Sequence, residues 1–167
     1  MELIFPFNIK PSERQVNVRD SIVLIGSCFA EEMGLKLKER RFNALLNPHG
    51  ILFNPISIAE ALEDYQTKKQ YTLKEIFPAN ELWHSFKHHG AFSNSDNIKC
   101  LQHINMAIDI ANAQLKNCKW LIVTFGSAHA YRLKENNMLV ANCHKVPSSH
   151  FTKALLTQGE IVSAWLS

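Results

Sequence analysis

Near its amino end the chain reads Ser21-Ile22-Val23-Leu24-Ile25-Gly26-Ser27-Cys28-Phe29-Ala30. The apolar, β-branched run that ends at Ile25 predicts a short strand buried on both faces, and Gly26 ends it in a tight turn. Apolar residues then recur every four positions, at Phe29, Met33 and Leu37, which predicts an amphipathic helix with one buried stripe. A strand, a tight turn and a helix in this order are the first half of a parallel α/β unit.

Similar elements continue along the first half of the chain. A short apolar run at residues 44–46 ends at the turn Asn47-Pro48-His49-Gly50. Asn54 before Pro55 predicts the cap and first residue of a helix that reaches about residue 65. Residues 83–94 hold three histidines and several aromatic residues without a clear period. That segment is therefore predicted to be a long, ordered loop.

The second half contains a long helix followed by an apolar strand. Apolar side chains three and four positions apart between Ile98 and Leu115 predict the helix. Six residues, WLIVTF at 120–125, predict a central parallel strand. Residues 131–133 and 138–140 predict a β-hairpin. A capping box of Thr157 and Glu160 predicts a last helix in which the sequence stops, so we expect the sheet to be incomplete at the carboxyl end and the chain to be part of a longer protein.

Length and composition narrow the class of protein. The 167 residues are 46% hydrophobic, which fits a single domain over residues 1–167. The net charge of +3 comes from basic residues spread along the chain, so no nucleic-acid partner is predicted. The sequence shows no signal peptide or membrane span, which predicts a cytoplasmic protein without a membrane partner. Four widely spaced cysteines without a C-x-x-C pair indicate reduced thiols.

Ser27 is the strongest candidate for a chemical role. At a strand-to-helix turn, backbone N–H groups and the positive end of the helix dipole would stabilise an oxyanion. A serine at this place also serves as a helix N-cap, and the spacing alone leaves both interpretations open. Cys28 is an alternative nucleophile, because a helix N-terminus lowers the pKa of a thiol. Alternation along the turn predicts that Cys28 points away from Ser27, toward the packed side of the helix.

Five segments of the chain resemble the GSCFA domain family, in the order in which that family has them. They are Gly26-Ser27-Cys28-Phe29-Ala30, NPHGILFNP at 47–55, HGAFS at 89–93, TFGSA at 124–128 and ANCHKVP at 141–147. The GSCFA family is grouped with the SGNH, or GDSL-like, hydrolases. The resemblance therefore implies a three-layer α/β/α fold with a flavodoxin-like parallel sheet, and hydrolysis of an acyl ester by a serine nucleophile.

The resemblance also implies roles for individual residues. Ser27 matches the nucleophile of the first SGNH block. Gly50 matches the oxyanion-hole glycine of the second block. Gly126 matches the glycine of the third block, which reads G-x-N-D in those enzymes.

Two elements of the SGNH pattern are missing from this sequence. Ala128 stands where the third block has asparagine, so Asn54 or Asn142 is expected to replace that oxyanion donor. The D-x-x-H segment that carries the catalytic base does not occur in the 167 residues. His144 is the candidate substitute for the base, with a loop histidine bonded to backbone as the alternative.

The remaining histidines and cysteines are weighed as metal ligands. His84 and His88 are four positions apart, and Cys100 and His103 have a ligand-like spacing. No carboxylate stands among these histidines and their segment does not read as a helix, so neither a metal nor any other cofactor is predicted. His89 is interpreted as a residue that lines the cleft.

Two functions remain open from the sequence. The first is an SGNH-like serine esterase that acts on an O-acyl ester of a small molecule or a carbohydrate. The second is a noncatalytic binding module, or an inactive fragment, that keeps the cleft and has lost hydrolysis. An uncovered sheet edge beside residues 120–125 predicts self-association.

Overall fold

The computed structural model describes residues 10–166, which form eight strands and four α-helices. Its elements are, in order, β1 (Ser21–Gly26), α1 (Cys28–Glu39), β2 (Asn43–Leu46), α2 (Pro55–Thr67), β3 (Phe77–Ala79), β4 (Leu82–His84), α3 (Asn97–Lys116), β5 (Trp120–Thr124), β6 (His129–Leu133), β7 (Leu139–Val140), β8 (Phe151–Leu155) and α4 (Gln158–Leu166).

A parallel sheet of order β2-β1-β5 forms the centre of the fold. The predicted strand after residue 20 is confirmed as β1, which lies in the middle of this sheet. The prediction that residues 120–125 form the central strand is wrong for the described residues, because β5 pairs only with β1. Consistent with an edge position, Leu121 is 43% exposed, whereas Ile22 to Ile25 are almost completely buried.

Helices cover both faces of the parallel sheet, which confirms the predicted α/β fold. Ile22 and Leu24 pack on one face with Ala30 of α1. Ile25 points to the other face, into a core with Ile58 of α2 and Ile104 of α3. Alternating side chains of one strand therefore enter two cores, as expected for a strand between two helix layers.

The buried face of α1 differs from the predicted stripe. Phe29 and Met33 are 62% and 41% exposed, and the buried residues are Ala30 and Gly34. A Cβ atom at Gly34 would collide with the side chain of Leu46 in β2. Small residues let the helix approach the sheet closely, and this close approach outweighs the burial of the larger side chains one position earlier.

Two small antiparallel sheets complete the strands of the described region. The predicted hairpin is confirmed as β6 and β7, where Tyr131 pairs with Val140, and β8 pairs with the other edge of β6. The predicted loop at 83–94 is wrong at its start, because Trp83 lies in β4 and also forms a bridge to Asn94. A strand of three residues is too short to show a period in sequence.

Side-chain caps begin three of the helices. Asn54 Oδ1 accepts from the Ser57 N–H of α2, and Asp96 caps α3. Thr157 and Glu160 form the predicted capping box at the start of α4. Within residues 10–166, no helix is both long and apolar enough to cross a membrane.

Candidate functional site

Ser27 lies directly after β1, at the N-cap position of α1. Its hydroxyl makes no capping hydrogen bond to that helix. Instead Ser27 Oγ lies 3.0 Å from Thr124 Oγ1, and the Ser27 N–H points to the carbonyl and hydroxyl oxygens of Thr124 at 3.2 and 3.1 Å. The β1–β5 register, which pairs Gly26 with Thr124, brings the two hydroxyls together.

The turn before Ser27 requires glycine. Gly26 has φ +138°, and a Cβ atom there would collide with the carbonyl oxygen of Thr124. The tight turn places Ser27 in a buried position, 5% exposed.

The Asn47 side chain forms hydrogen bonds to residues on both sides of Ser27, a role that the sequence analysis missed. Its Oδ1 accepts from the Gly26 N–H at 2.8 Å, and its Nδ2 donates to Glu31 Oε2 in α1 at 2.7 Å. Its own N–H donates to the Leu24 carbonyl. The sequence offered one indication of this role, which is the position of Asn47 as the first residue of the NPHG turn.

Gly126, the glycine that matches the third block, lies beside Ser27. A Cβ atom at Gly126 would lie 3.2 Å from Ser27 Cβ and 2.8 Å from Phe53 Cδ1. However, the Gly126 N–H donates to the Phe53 carbonyl at 2.9 Å. This N–H is therefore already engaged and is not directed at an oxyanion in this conformation.

Gly50 contacts His89. Gly50 has φ +77°, and a Cβ atom there would collide with His89 Cβ. The His89 N–H also donates to the His49 carbonyl at 2.9 Å. These contacts connect the NPHG turn to the segment that carries His89.

The two asparagines expected to replace the oxyanion donor differ in what their side chains bind. Asn54 uses both side-chain atoms on Ser57, through Oδ1 to the N–H and through Nδ2 to Oγ at 2.9 Å. Asn142 Oδ1 accepts from the His144 N–H at 2.9 Å. Asn54 thus caps α2, as its place before Pro55 predicts.

His144 is a buried loop histidine. Its Nε2 donates to the Ser85 carbonyl at 2.7 Å, and its ring lies 4.5 Å from that of His84. Burial lowers the pKa of His144 more than the backbone hydrogen bond raises it, which favours the neutral ring. Among the described residues, the hydrogen bonds of Ser27 and those of His144 involve different partners.

The seven predicted site residues fall into groups. Ser27 and Gly126 adjoin at the carboxyl ends of β1 and β5. His89, Asn142 and His144 line a separate cleft of about 430 Å³. Gly50 touches the second group through His89, and Asn54 caps α2.

A buried polar network behind the NPHG turn was also missed. His49 stacks on His88 with ring centroids 4.1 Å apart. Burial lowers the pKa of both histidines, which favours their neutral rings. A neutral His49 can donate from Nε2 to Asp64 and accept at Nδ1 from the Tyr65 hydroxyl, 2.8 Å away. His88 Nε2 is buried without a hydrogen-bond partner among residues 10–166.

Two of the side chains weighed as metal ligands, His84 and Cys100, contact other groups. In the described part of the chain, no three His, Cys, Asp or Glu side chains converge on a possible metal position. His84 bonds Ser93 Oγ and the Ala79 carbonyl, and Cys100 Sγ points to the Trp83 carbonyl.

The prediction that Cys28 faces the packed side of α1 is wrong, because Cys28 is exposed. The shift of the buried face of α1 by one position explains this difference.

The geometry defines an α/β protein with a serine at the carboxyl end of its central parallel strand. The GSCFA family model matches residues 21–167, and the chain therefore belongs to the GSCFA family. A comparison with curated proteins and one with solved structures found no match.

Proposed function

We propose that this protein is a serine hydrolase that cleaves an O-acyl ester with Ser27 as its nucleophile. The observation that carries the proposal is the Ser27 hydroxyl, which stands at the start of α1 and is not used to cap it. Serine at this position in the GSCFA motif agrees with the chain's family. An O-acylated carbohydrate is the substrate class that we propose.

The proposed reaction proceeds through an acyl-serine. Ser27 Oγ adds to the ester carbonyl and its proton passes to a base; the C–O bond then breaks, and the alcohol leaves with a proton. Water next attacks the acyl-serine and releases a carboxylic acid. The N–H groups in the first turn of α1 would stabilise the negative oxygen in both steps.

Thr124 and His144 have distinct proposed roles. The Thr124 hydroxyl, 3.0 Å from Ser27 Oγ, would hold the nucleophile in one orientation. His144 is the candidate base, with Nδ1 as its basic atom because Nε2 donates to the Ser85 carbonyl. It lines a cleft that Ser27 does not line, so this role requires the His144 ring to move toward the Ser27 turn. A base is needed because a neutral serine hydroxyl is a weak nucleophile.

The test compares Ser27→Ala with Cys28→Ala. We expect Ser27→Ala to lower hydrolysis of a short-chain p-nitrophenyl ester by roughly a thousandfold or more, because it removes the acyl acceptor. Cys28→Ala should leave the rate unchanged within about twofold, since an exposed thiol contributes little to packing. A fluorophosphonate probe should label the parent protein and Cys28→Ala but not Ser27→Ala. Full activity in Ser27→Ala would contradict the proposal.

A noncatalytic binding module is the second candidate. Two observations favour it: Ser27 Oγ is paired with a threonine, and the Gly126 N–H is bonded to the Phe53 carbonyl. For a binding module, the parent protein would neither hydrolyse the ester nor react with the probe. Binding of a non-hydrolysable ester analogue would then be the same in the parent protein and in Ser27→Ala.

A further inference from the structure

A polar cleft lies apart from the Ser27 turn. It measures about 430 Å³ and is bounded by the β3–β4 turn, by the segment around His89 and by the loop at residues 142–145. Ser27 does not line it. The side chains used in the argument below are His84, His89, Asn142, His144 and Lys145.

Three of these side chains offer hydrogen-bond donors that no described acceptor takes. His89 Nδ1 accepts from the Ala91 N–H, so in the neutral ring Nε2 carries the proton. Asn142 binds the His144 N–H through Oδ1, which leaves its NH₂ group as a donor. Lys145 adds an ammonium group that pairs with no carboxylate in residues 10–166.

The other two histidines, His84 and His144, form a wall of the cleft whose side chains are held by hydrogen bonds. His84 is held by Ser93 Oγ on one side of the ring and by the Ala79 carbonyl on the other. His144 is held by the Ser85 carbonyl, and its ring lies tilted against that of His84. Donors placed on such a wall are already oriented, so a ligand loses little conformational entropy in ordering them.

The backbone around the cleft is strained. His144 and Lys145 have φ values of +49° and +60°, in the left-handed region that non-glycine residues rarely adopt. Asn80, at +49°, lies in the tight β3–β4 turn, where asparagine often takes this conformation. All three line the same cleft. Strained backbone of this kind concentrates at ligand-binding positions.

We infer that this cleft binds an oxyanion, a carboxylate or a phosphate group, carried by a small polar molecule. Its lining supplies N–H donors and one full positive charge, and none of the described residues that line it is Asp or Glu. An anionic oxygen group satisfies several N–H donors at once through charge-assisted hydrogen bonds. This inference does not depend on catalysis by Ser27.

The test measures binding of three sugars of similar size: glucose 6-phosphate, glucuronate and neutral glucose. In NMR spectra of the folded chain, the two anions should shift the ring C–H signals of His89 and His144 in a saturable way. The ring of His129, outside the cleft, should not respond. A larger response to one of the two anions identifies the phosphate or the carboxylate as the group preferred.

Two variants locate the binding site. Lys145→Met should weaken anion binding roughly fivefold or more through the loss of one charged donor. The unbranched methionine suits the left-handed backbone at this position. Asn142→Asp keeps the oxygen that accepts from the His144 N–H but places a negative charge in the cleft, so it should abolish binding. Lys38→Met, on the exposed side of α1, is the matched control and should bind as the parent protein does.

Equal shifts with glucose, no saturable shift with either anion, or equal losses in Lys38→Met and Lys145→Met would overturn the inference. If Asn142→Asp fails to fold, Lys145→Met still decides the matter, because its side chain is exposed and not part of a core.

Discussion

Asn47 joins three segments of the candidate site through one side chain. Its Oδ1 accepts from Gly26 of the turn, and this fixes the amide orientation so that Nδ2 must donate to Glu31 of α1. Ser27 lies between these two anchors in sequence. The position of the hydroxyl therefore depends on a residue that has no contact with the reacting atoms.

We expect Asn47→Asp to destabilise the fold by about 1–3 kcal/mol, because it sets two carboxylates against each other in place of a charge-assisted hydrogen bond. Glu31→Gln in the same protein should recover much of that loss, since the side-chain amide that it introduces can donate to the new carboxylate. The free energies of unfolding in urea of the parent, both single variants and the double variant measure this coupling. Purely additive effects would show that the pair does not hold the turn.

The Asp20 carboxylate, just before β1, accepts hydrogen bonds from Lys119 and Trp120 at the start of β5. Hydrogen bonds from the Asn17 N–H, from Lys119 and from the Trp120 indole lower the pKa of Asp20 to about 2. A carboxyl group with a lowered folded-state pKa stabilises the fold above its unfolded pKa, and that contribution is lost as the pH falls through the folded pKa.

Asp20→Asn should therefore be less stable than the parent protein at neutral pH, and the two proteins should become more alike as the pH falls from about 4 to about 2. Thermal unfolding of both proteins across this pH window provides the measurement. A difference in melting temperature that does not change with pH would contradict the stated role of the carboxylate.

At the scale of the element, α1 approaches the sheet through its small residues. Ala30 of α1 is completely buried against the sheet, and Gly34 of α1 leaves room for Leu46 of β2. The larger Met33 faces away from that contact. The close approach of the α1 and β2 backbones thus decides which face of α1 is buried.

Substitutions on the two faces of α1 should differ in cost. Ala30→Leu should lower the free energy of unfolding by about 1–3 kcal/mol, because extra methyl groups overfill a packed contact. Met33→Lys should change it by no more than about 0.5 kcal/mol, as expected for a surface position. Denaturant unfolding of both variants provides the measurement. A larger loss of unfolding free energy in Met33→Lys than in Ala30→Leu would contradict this assignment and support the buried stripe predicted from the sequence.

The molecule as a whole presents β5 as an edge of the parallel sheet within residues 10–166. The segment WLIVTF contains no charged residue, and Leu121 and Phe125 are 43% and 54% exposed. Uncharged apolar edges pair readily with another strand. We propose that a second copy of this chain pairs with it, β5 against β5.

Leu121→Lys should then weaken self-association. Losing about 1 kcal/mol of apolar burial in each of two copies raises the dissociation constant roughly thirtyfold. Sedimentation or light scattering over a range of concentrations provides the measurement. Met106→Lys, which makes the same change at an exposed position of α3, should have no effect. A parent protein that stays monomeric at the highest concentration would contradict the proposal.

The sequence by itself determined the strand, turn and helix around Ser27, the family, the helix caps and the β6–β7 hairpin. These features depend on side chains within a few positions of each other or on short motifs, so local chemistry specifies them. The burial of Ile22 to Ile25 likewise follows from an uninterrupted apolar run.

Only the tertiary structure decided which residues surround Ser27. Thr124, 97 positions away, meets it because β1 and β5 pair in one register. His144, close to the site by motif alone, instead bonds Ser85. Strand register and the close packing of α1 on the sheet depend on contacts summed over the whole molecule. No local pattern in the sequence carries that sum.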